Sequence, residues 1–266
     1  MANTKNIGLA FVDDLVADGK AHFTFAEGRE RLQRSPGATA NILRRLVENG
    51  LVDRVRRGHY VVRSLGVLGT RAVAESLSLA VAAAFVGLPH RIAYRSALDE
   101  HDLISHPSRT VQVACTRRVR STKLSGRPLR TILETELAID VGSQPHGDSE
   151  VSDINRALLD AAARPELVGG AAVLAEALAA AGSKADPQRL TYYAAQLNWA
   201  PALCRIGSLA DALELTALAG KLSPLSTRAF DIALEPGTGA AVAWRDPRWR
   251  VRWAQPRDEL VNVVWQ

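Results

Sequence analysis

Hydrophobic and polar positions alternate between helical and β spacing in quick succession over the first 64 residues. Ile7, Leu9, Ala10, Val12, Leu15 and Val16 recur at helical spacing and predict a first helix over residues 4–18. His22 to Phe25 is β-like. Thr24 and Glu27 have the spacing of a capping box, so a second helix is expected from after Thr24 to Gln33. Ser35-Pro36 reads as an N-cap followed by proline at the first helical position. That third helix stops at Gly50. Its Pro36, Thr39, Ala40, Leu43, Leu46, Val47 and Gly50 share the side expected to pack on a core. Two β-type runs around Arg57-Gly58 then predict a hairpin. Three helices and a hairpin, in that order, are the sequence of a winged helix-turn-helix.

Beyond it, residues 65–87 read as a linking helix, and Ser96 as the cap of a short helix. Thr110 to Cys115 alternates like a strand, and the basic stretch Arg117 to Arg130 reads as a hairpin. Residues 152–222 are helical in three or four pieces, broken at Arg164-Pro165, at 185–187 and at 199–201. The tail from Ala229 is β-like, including a last strand over Val261 to Trp265. The expected fold class is therefore α+β. A winged helix-turn-helix over residues 1–66 precedes a mixed α/β C-terminal domain over 67–266, with a helical middle and a β-rich end. Residues 146–152 are the candidate subdivision of that domain.

Composition narrows the functional classes. Cys115 and Cys204 are too few and too far apart for a zinc ribbon or a disulfide scaffold, and read as buried reduced thiols. The longest charge-free apolar run, Leu79 to Pro89, falls far short of the ~20 residues that span a bilayer. No leader pattern is present, so a cytoplasmic protein with no membrane contact is expected. Arginine outnumbers lysine 28 to 5, which is read as the composition of a GC-rich bacterial genome. His101 and His106 lack metal-ligand spacing, and no phosphate loop or nucleophile elbow occurs. No metal, no cofactor and no enzymatic activity are expected.

The net charge is +5, and residues 1–64 carry 11 basic against 7 acidic side chains. Residues 146–266 reverse this, with 12 against 14, so the positive balance points to a polyanion partner for the N-terminal half. On the third helix Asn41, Arg44 and Arg45 are candidates for base edges in the major groove, where arginine pairs with guanine and asparagine with adenine. Ser35, Thr39 and the free amides of the helix start suit phosphate contacts, and Arg34 on the approach to the helix faces the major groove with them. Arg56, Arg57 and His59, with Arg54, are the candidate wing contacts. Ordinary solvated arginines are the competing reading, as is an i, i+4 pair of Arg44 with Glu48. Arg117, Arg118, Arg120, Lys123, Arg127 and Arg130 form a second, acid-free basic stretch. It suits additional nucleic acid or an acidic partner, or is simply an exposed loop.

Several stretches together resemble the AbiEi family of type IV antitoxins over essentially the whole chain. Phe23-Thr-Phe, Leu43-Arg-Arg-Leu-Val-Glu-Asn-Gly-Leu-Val and Arg56-Arg-Gly-His-Tyr are similar to that family's winged helix. Tyr94-Arg-Ser-Ala-Leu-Asp-Glu-His-Asp-Leu resembles its middle motif, with Asp102 where a glycine is expected. Arg156-Ala-Leu-Leu-Asp, Arg164-Pro-Glu-Leu-Val-Gly-Gly, Asp186-Pro-Gln-Arg-Leu, Leu203-Cys-Arg-Ile-Gly-Ser-Leu and Trp244-Arg-Asp-Pro-Arg-Trp-Arg-Val continue the order. The resemblance implies an antitoxin that counteracts a nucleotidyltransferase-like toxin without a stable complex being assumed. It also implies repression of its own operon through double-stranded promoter DNA, by a monomer in solution or a dimer on DNA. Two other classes compete. One is a ligand-responsive regulator with a pocket lined by Tyr192, Tyr193 and Trp199; the other is a nuclease using carboxylates such as Asp99, Glu100 and Asp102.

Overall fold

Capping side chains set where the early helices begin. In the computed structural model, which describes residues 4–63, 77–120, 123–124, 126–222, 230–237 and 241–264, α1 (Thr4–Ala17) leads to β1 (His22–Thr24), α2 (Phe25–Leu32) and α3 (Pro36–Glu48). Thr24 and Glu27 close the capping box of α2, and Ser35 caps α3 ahead of Pro36. β2 (Val52–Arg56) and β3 (His59–Val62) form the hairpin, and its turn uses Gly58 at φ +80°. The strands pair in the order β1-β3-β2. Phe23 sits between Phe11, edge-on at 5.3 Å, and Tyr60, stacked at 5.4 Å. These rings and Val12, Leu15, Ile42, Leu43 and Leu46 make the core of a winged helix-turn-helix.

Two buried faces differ from the periodicity read in the sequence. On α1 the buried residues are Phe11, Val12 and Leu15, whereas Leu9 and Val16 are exposed. The reason is a close approach at Gly8, where an added Cβ would stand 3.2 Å from the Leu46 side chain; this fixes the rotation of α1 against α3. On α3 the buried stripe is Thr39, Ile42, Leu43 and Leu46, with Ala40 and Pro36 turned out.

The chain continues through α4 (Leu77–Ala84), β4 (His90–Ile92), α5 (Tyr94–Glu100), β5 (Val111–Cys115), β6 (Lys123–Leu124) and β7 (Arg127–Leu133). Then follow α6 (Glu136–Asp140), β8 (Ser143–His146) and β9 (Ser149–Ser152). The six strands form one mixed sheet in the order β6-β7-β5-β4-β9-β8. β5 runs parallel to β7 and is buried at every residue, as a strand covered on both faces must be. The helical middle comprises α7 (Ile154–Ala163), α8 (Pro165–Val168), α9 (Ala171–Ala181), α10 (Pro187–Gln196), α11 (Ala200–Ala212) and α12 (Thr216–Ala219). The three expected breaks occur, and Gly169-Gly170, both at positive φ, adds another. β10 (Ile232–Ala233), β11 (Trp244–Asp246) and β12 (Val251–Trp253) form a last small sheet around buried Trp249 and Trp253.

Three further expectations are corrected. Ser96 lies inside α5, not at its cap; its hydroxyl donates to the Thr110 carbonyl and accepts from Gln112 N–H. Residues 146–152 form the β8–β9 hairpin, and the sheet runs through that candidate boundary. The expected last strand is instead a helix, α13 (Arg257–Val264), which packs on α9. Leu260 is fully buried with Val261 and Val264 beside it, a helical stripe, and Asp258 and Glu259 suit its first turn. Residues 64–76 of the expected linking helix lie outside the described residues.

The winged-helix sheet is covered on both faces. Val52, Tyr60 and Val62 belong to the core with α1 and α3. Val55 and Val61 belong to the core of the C-terminal domain, against α4. Deeper in that domain lies a buried ionic cluster. Arg91 of β4 bonds Glu134 and Asp160 at 3.0 and 3.1 Å. Arg156 of α7 bonds Asp160 at 2.7 Å and Glu134 at 3.1 Å. The Tyr94 and Ser152 hydroxyls donate to Glu134 and Asp160 at 2.8 and 3.0 Å. Burial opposes the charge of Asp160, but Arg156 and Arg91 overcome it and hold the carboxyl below its usual range. At Glu134 burial and the neighbouring Asp160 win, and its carboxyl is pushed up. Among the described residues no helix is long and apolar enough to cross a membrane.

Candidate nucleic-acid interface

With Thr39, Ile42, Leu43 and Leu46 buried, the 100° step of an α-helix turns Gly37, Asn41, Arg44 and Glu48 outward. All four are exposed. Gly37 has no neighbour within 4 Å of a would-be Cβ, so the first turn of α3 is open to close approach. Ser35 is exposed beside it but already caps the helix through Ala38 N–H at 3.3 Å, and Arg34 is exposed just before. Thr39 is fully buried with its hydroxyl unpartnered, which corrects its assignment to a phosphate contact.

Arg44 and Arg45 part company. Arg44 lines a groove of about 720 Å³ between α3 and the wing, shared with Ala40, Glu48, Arg54, Arg57 and Tyr60. Arg45 lines a separate cleft towards α1, with Gly8, Leu9 and Asn49. The Arg44–Glu48 pair is loose, 3.9 Å apart and well exposed, so it contributes little. Arg54 and Arg57 are exposed and have no hydrogen-bond or ion-pair partner among the described residues.

The wing divides its own basic residues. A register shift between Arg54 and Arg56 points the two side chains to different surroundings. Arg56 reaches the Ala84 carbonyl of α4 at 3.4 Å and the His59 ring at 3.0 Å. His59 in turn meets His22, with ring nitrogens 3.2 Å apart and the rings stacked. Burial lowers the pKa of both imidazoles, and Arg56 adds to the effect. Arg56 therefore ties the wing to α4 and His59 packs between Arg56 and His22, so both of these candidate wing contacts are half-buried where Arg57 is exposed. The Gly58 carbonyl accepts from Phe25 N–H at 2.8 Å, so the tip is tied to α2 and presents Arg57. Nearby, Lys20 bonds Glu27 and holds its carboxyl at about 2.

The basic stretch 117–130 is split. Arg117, Arg118 and Arg120 are exposed after β5, and Lys123 is exposed on β6, which packs beside β2 of the wing. Arg127 is held by the Ser108 carbonyl at 3.3 Å and faces Asp99 at 3.8 Å. Arg130 is exposed on β7. The other candidates are occupied. Glu100 accepts from His146 at 2.7 Å, Asp99 from Ser108 N–H at 3.0 Å, and Tyr193 donates to Asp153 at 2.7 Å. Trp199 lies under the Arg156 guanidinium, and Tyr192 is exposed. Asp102 adopts φ +54°, the left-handed region that glycine favours, at the position where the family resemblance expects glycine. Ala40 and Gly37, small exposed residues that permit close approach, are not marked as such by the apolar pattern; the burial of Ile42 is the signal that turns both outward.

No protein-family model matches the chain, and no curated protein matches it. Among solved structures, the crystal structure of the Rv2827c protein from Mycobacterium tuberculosis is similar, with a TM-score of 0.66 at 16% identity. The match covers 96% of this chain and 93% of that one. At that identity the likeness shows the fold, which is α+β along the length of the chain.

Proposed function

We propose that this protein binds double-stranded promoter DNA through its winged helix and acts as a non-enzymatic antitoxin and autorepressor. The observation that carries the DNA reading is the α3–wing groove. Gly37, Asn41 and Arg44 face out along the helix, and unpaired Arg54 and Arg57 continue the same surface. Guanidiniums match phosphate and guanine bidentately, and the open first turn admits a groove edge. Exposed Lys123, brought beside the wing strand by β6, extends the basic surface from the C-terminal domain. The antitoxin part rests on the order of AbiEi-like motifs, including a left-handed backbone at Asp102. It names a nucleotidyltransferase-like toxin as the functional partner.

Two assays test this reading. Fluorescence anisotropy compares DNA from upstream of the protein's own gene with a scrambled duplex at fixed salt. Specific binding tighter by at least about 10³ is expected, as for dedicated repressors. Equal affinity for both duplexes removes the repressor reading. Co-expression with the neighbouring gene tests the antitoxin part. Rescue of growth by the full chain but not by residues 1–66 is expected; a harmless neighbour, or no rescue, removes it.

A further inference from the structure

An open pocket of about 420 Å³ lies in the C-terminal domain where the loop 105–110 meets β5, β7 and α8. Arg95, Arg109 and Arg130 line it together with Ser108, Thr110 and Leu167, and no carboxylate does. Three like charges converging on one open cavity favour an anion there.

The pocket is built around Arg95. Its guanidinium donates to the Val168 carbonyl and, at 3.0 Å, to the His106 carbonyl. These acceptors are neutral, so they aim the group without cancelling its charge. Gly169, at φ +108°, leaves room for this contact, since an added Cβ would stand 3.1 Å from Arg95 Nη1. Buried Gln112 locks the same corner, accepting from Arg95 N–H at 2.8 Å and donating to the Leu167 carbonyl at 2.7 Å. Arg109 and Arg130 are exposed, with no hydrogen-bond or ion-pair partner among the described residues. Carboxylates on flanking elements are engaged elsewhere. Asp99 serves Ser108 N–H and Arg127, Glu176 accepts from Ser105 N–H, and Glu166 pairs with Arg164 at 3.0 Å.

We infer that this pocket binds a phosphate-type oxyanion, clamped by Arg95, Arg109 and Arg130. A carboxylate offers two oxygens and satisfies one guanidinium fork, whereas a phosphate offers more acceptors and more charge, as three separate forks require. The cavity is larger than one phosphate and leaves room beside Leu167 and Pro107 for the rest of a larger molecule. Two sources share this chemistry: a free phosphoanion such as a nucleotide, or the backbone of bound nucleic acid.

Calorimetry on the full-length protein separates them, using inorganic pyrophosphate in one arm and a short DNA duplex in the other. The variant is Arg109→Gln with Arg130→Gln; both side chains are exposed, and Arg130→Gln alone replaces the pair if the double variant loses its thermal transition. Saturable pyrophosphate binding below about 1 mM, weakened at least about tenfold in the variant, establishes a free-anion site. If pyrophosphate does not bind but the variant lowers duplex affinity and its salt slope, by about 0.9 per phosphate lost, the backbone is the ligand. Pyrophosphate binding that ignores the substitutions, or no change in either arm, overturns the inference. Arg44→Ala, run in parallel, reports on the α3–wing groove alone, so loss of that reading is distinguishable from loss of this one.

Discussion

The winged helix and the core of the C-terminal domain use arginine in opposite ways. In the first, Arg44, Arg54 and Arg57 stand on the surface around one groove, and among the described residues only Arg44 has an ion-pair partner. In the second, Arg91 and Arg156 are fully buried and share Glu134 and Asp160 between them. An exposed guanidinium keeps its hydration, so leaving it unpaired costs little and preserves its charge for a partner. A buried one loses its hydration, so it persists only where carboxylates are fixed against it. Charge counted along the sequence does not separate these cases; burial does. Arg56 marks the junction, since it belongs to the wing but bonds α4.

The largest effect is expected where the comparison is most one-sided. Asp160→Ala leaves Arg91 and Arg156 with Glu134 alone, inside the protein. Removing one partner of a buried ionic cluster costs about 3–5 kcal/mol. The C-terminal domain should lose most of its stability, read as a large fall in the urea midpoint by circular dichroism. A loss under about 1 kcal/mol would show that the cluster is not what neutralises these arginines.

On the winged-helix side, substitutions should change binding and leave folding intact. Arg44→Ala is expected to weaken operator binding by about 1–3 kcal/mol, with an unchanged unfolding midpoint. Arg57→Ala should weaken specific and random DNA alike and lower the salt slope by about 0.9. Arg45→Ala, on the α1 side of the helix, should do less than either. Anisotropy titrations across salt decide the order; an Arg45 effect larger than the Arg44 effect would turn the reading face towards α1.

How much of this was legible in the sequence follows the same division. Local chemistry was readable. The Thr24–Glu27 capping box, the Ser35-Pro36 start and the turn at Gly58 stand where their residue types place them. Rotation about a helix axis was not. The apolar pattern of α3 accommodates a core stripe through Ala40 or through Ile42, and the packing of α1, whose Gly8 approaches Leu46 and Ile42, accompanies the second. That stripe turns Ala40 outward and separates Arg44 from Arg45. Long-range pairing was also hidden. Arg91, Glu134 and Asp160 lie far apart in sequence, and nothing in their neighbourhoods announces that they meet. The final Val261 to Val264 run reads as strand from its valines, but it forms a helix with Leu260 buried.

A smaller effect is expected from acidity at the junction. His22 and His59 have pKa values lowered below 6.5 in the folded protein, chiefly by burial. The unfolded chain then takes up protons first, so their contribution to stability is present above about pH 6.5 and is lost as pH falls through the folded values. Glu27, held at about 2 when folded, adds to the slope only at the acid end of this window, where the unfolded carboxyl near 4.5 begins to take up protons. His90 is lowered by burial too, so the comparison must be internal. The difference in unfolding midpoint between the native protein and a His22→Gln, His59→Gln variant should change between pH 7 and pH 5. A constant difference would mean that the pair is not desolvated.

The smallest effect concerns the one carboxylate on the outward face of α3. Glu48 faces the same groove as Arg44, Arg54 and Arg57 and opposes any phosphate that enters. A unit charge about 8 Å from a phosphate in water is worth about 0.5 kcal/mol, so Glu48→Gln should tighten binding roughly twofold on operator and random DNA alike. The alternative is that Glu48 itself reads DNA, since a carboxylate accepts from the cytosine amino group. In that case Glu48→Gln weakens operator binding while random DNA still binds more tightly. Loss on both duplexes would instead mean that the 3.9 Å contact with Arg44 positions that arginine. The sign of the change on random DNA, read with the ratio of specific to random affinity, distinguishes the three. A uniform gain keeps α3 a face read by its arginines, whereas a specific loss makes its acidic residue part of the code.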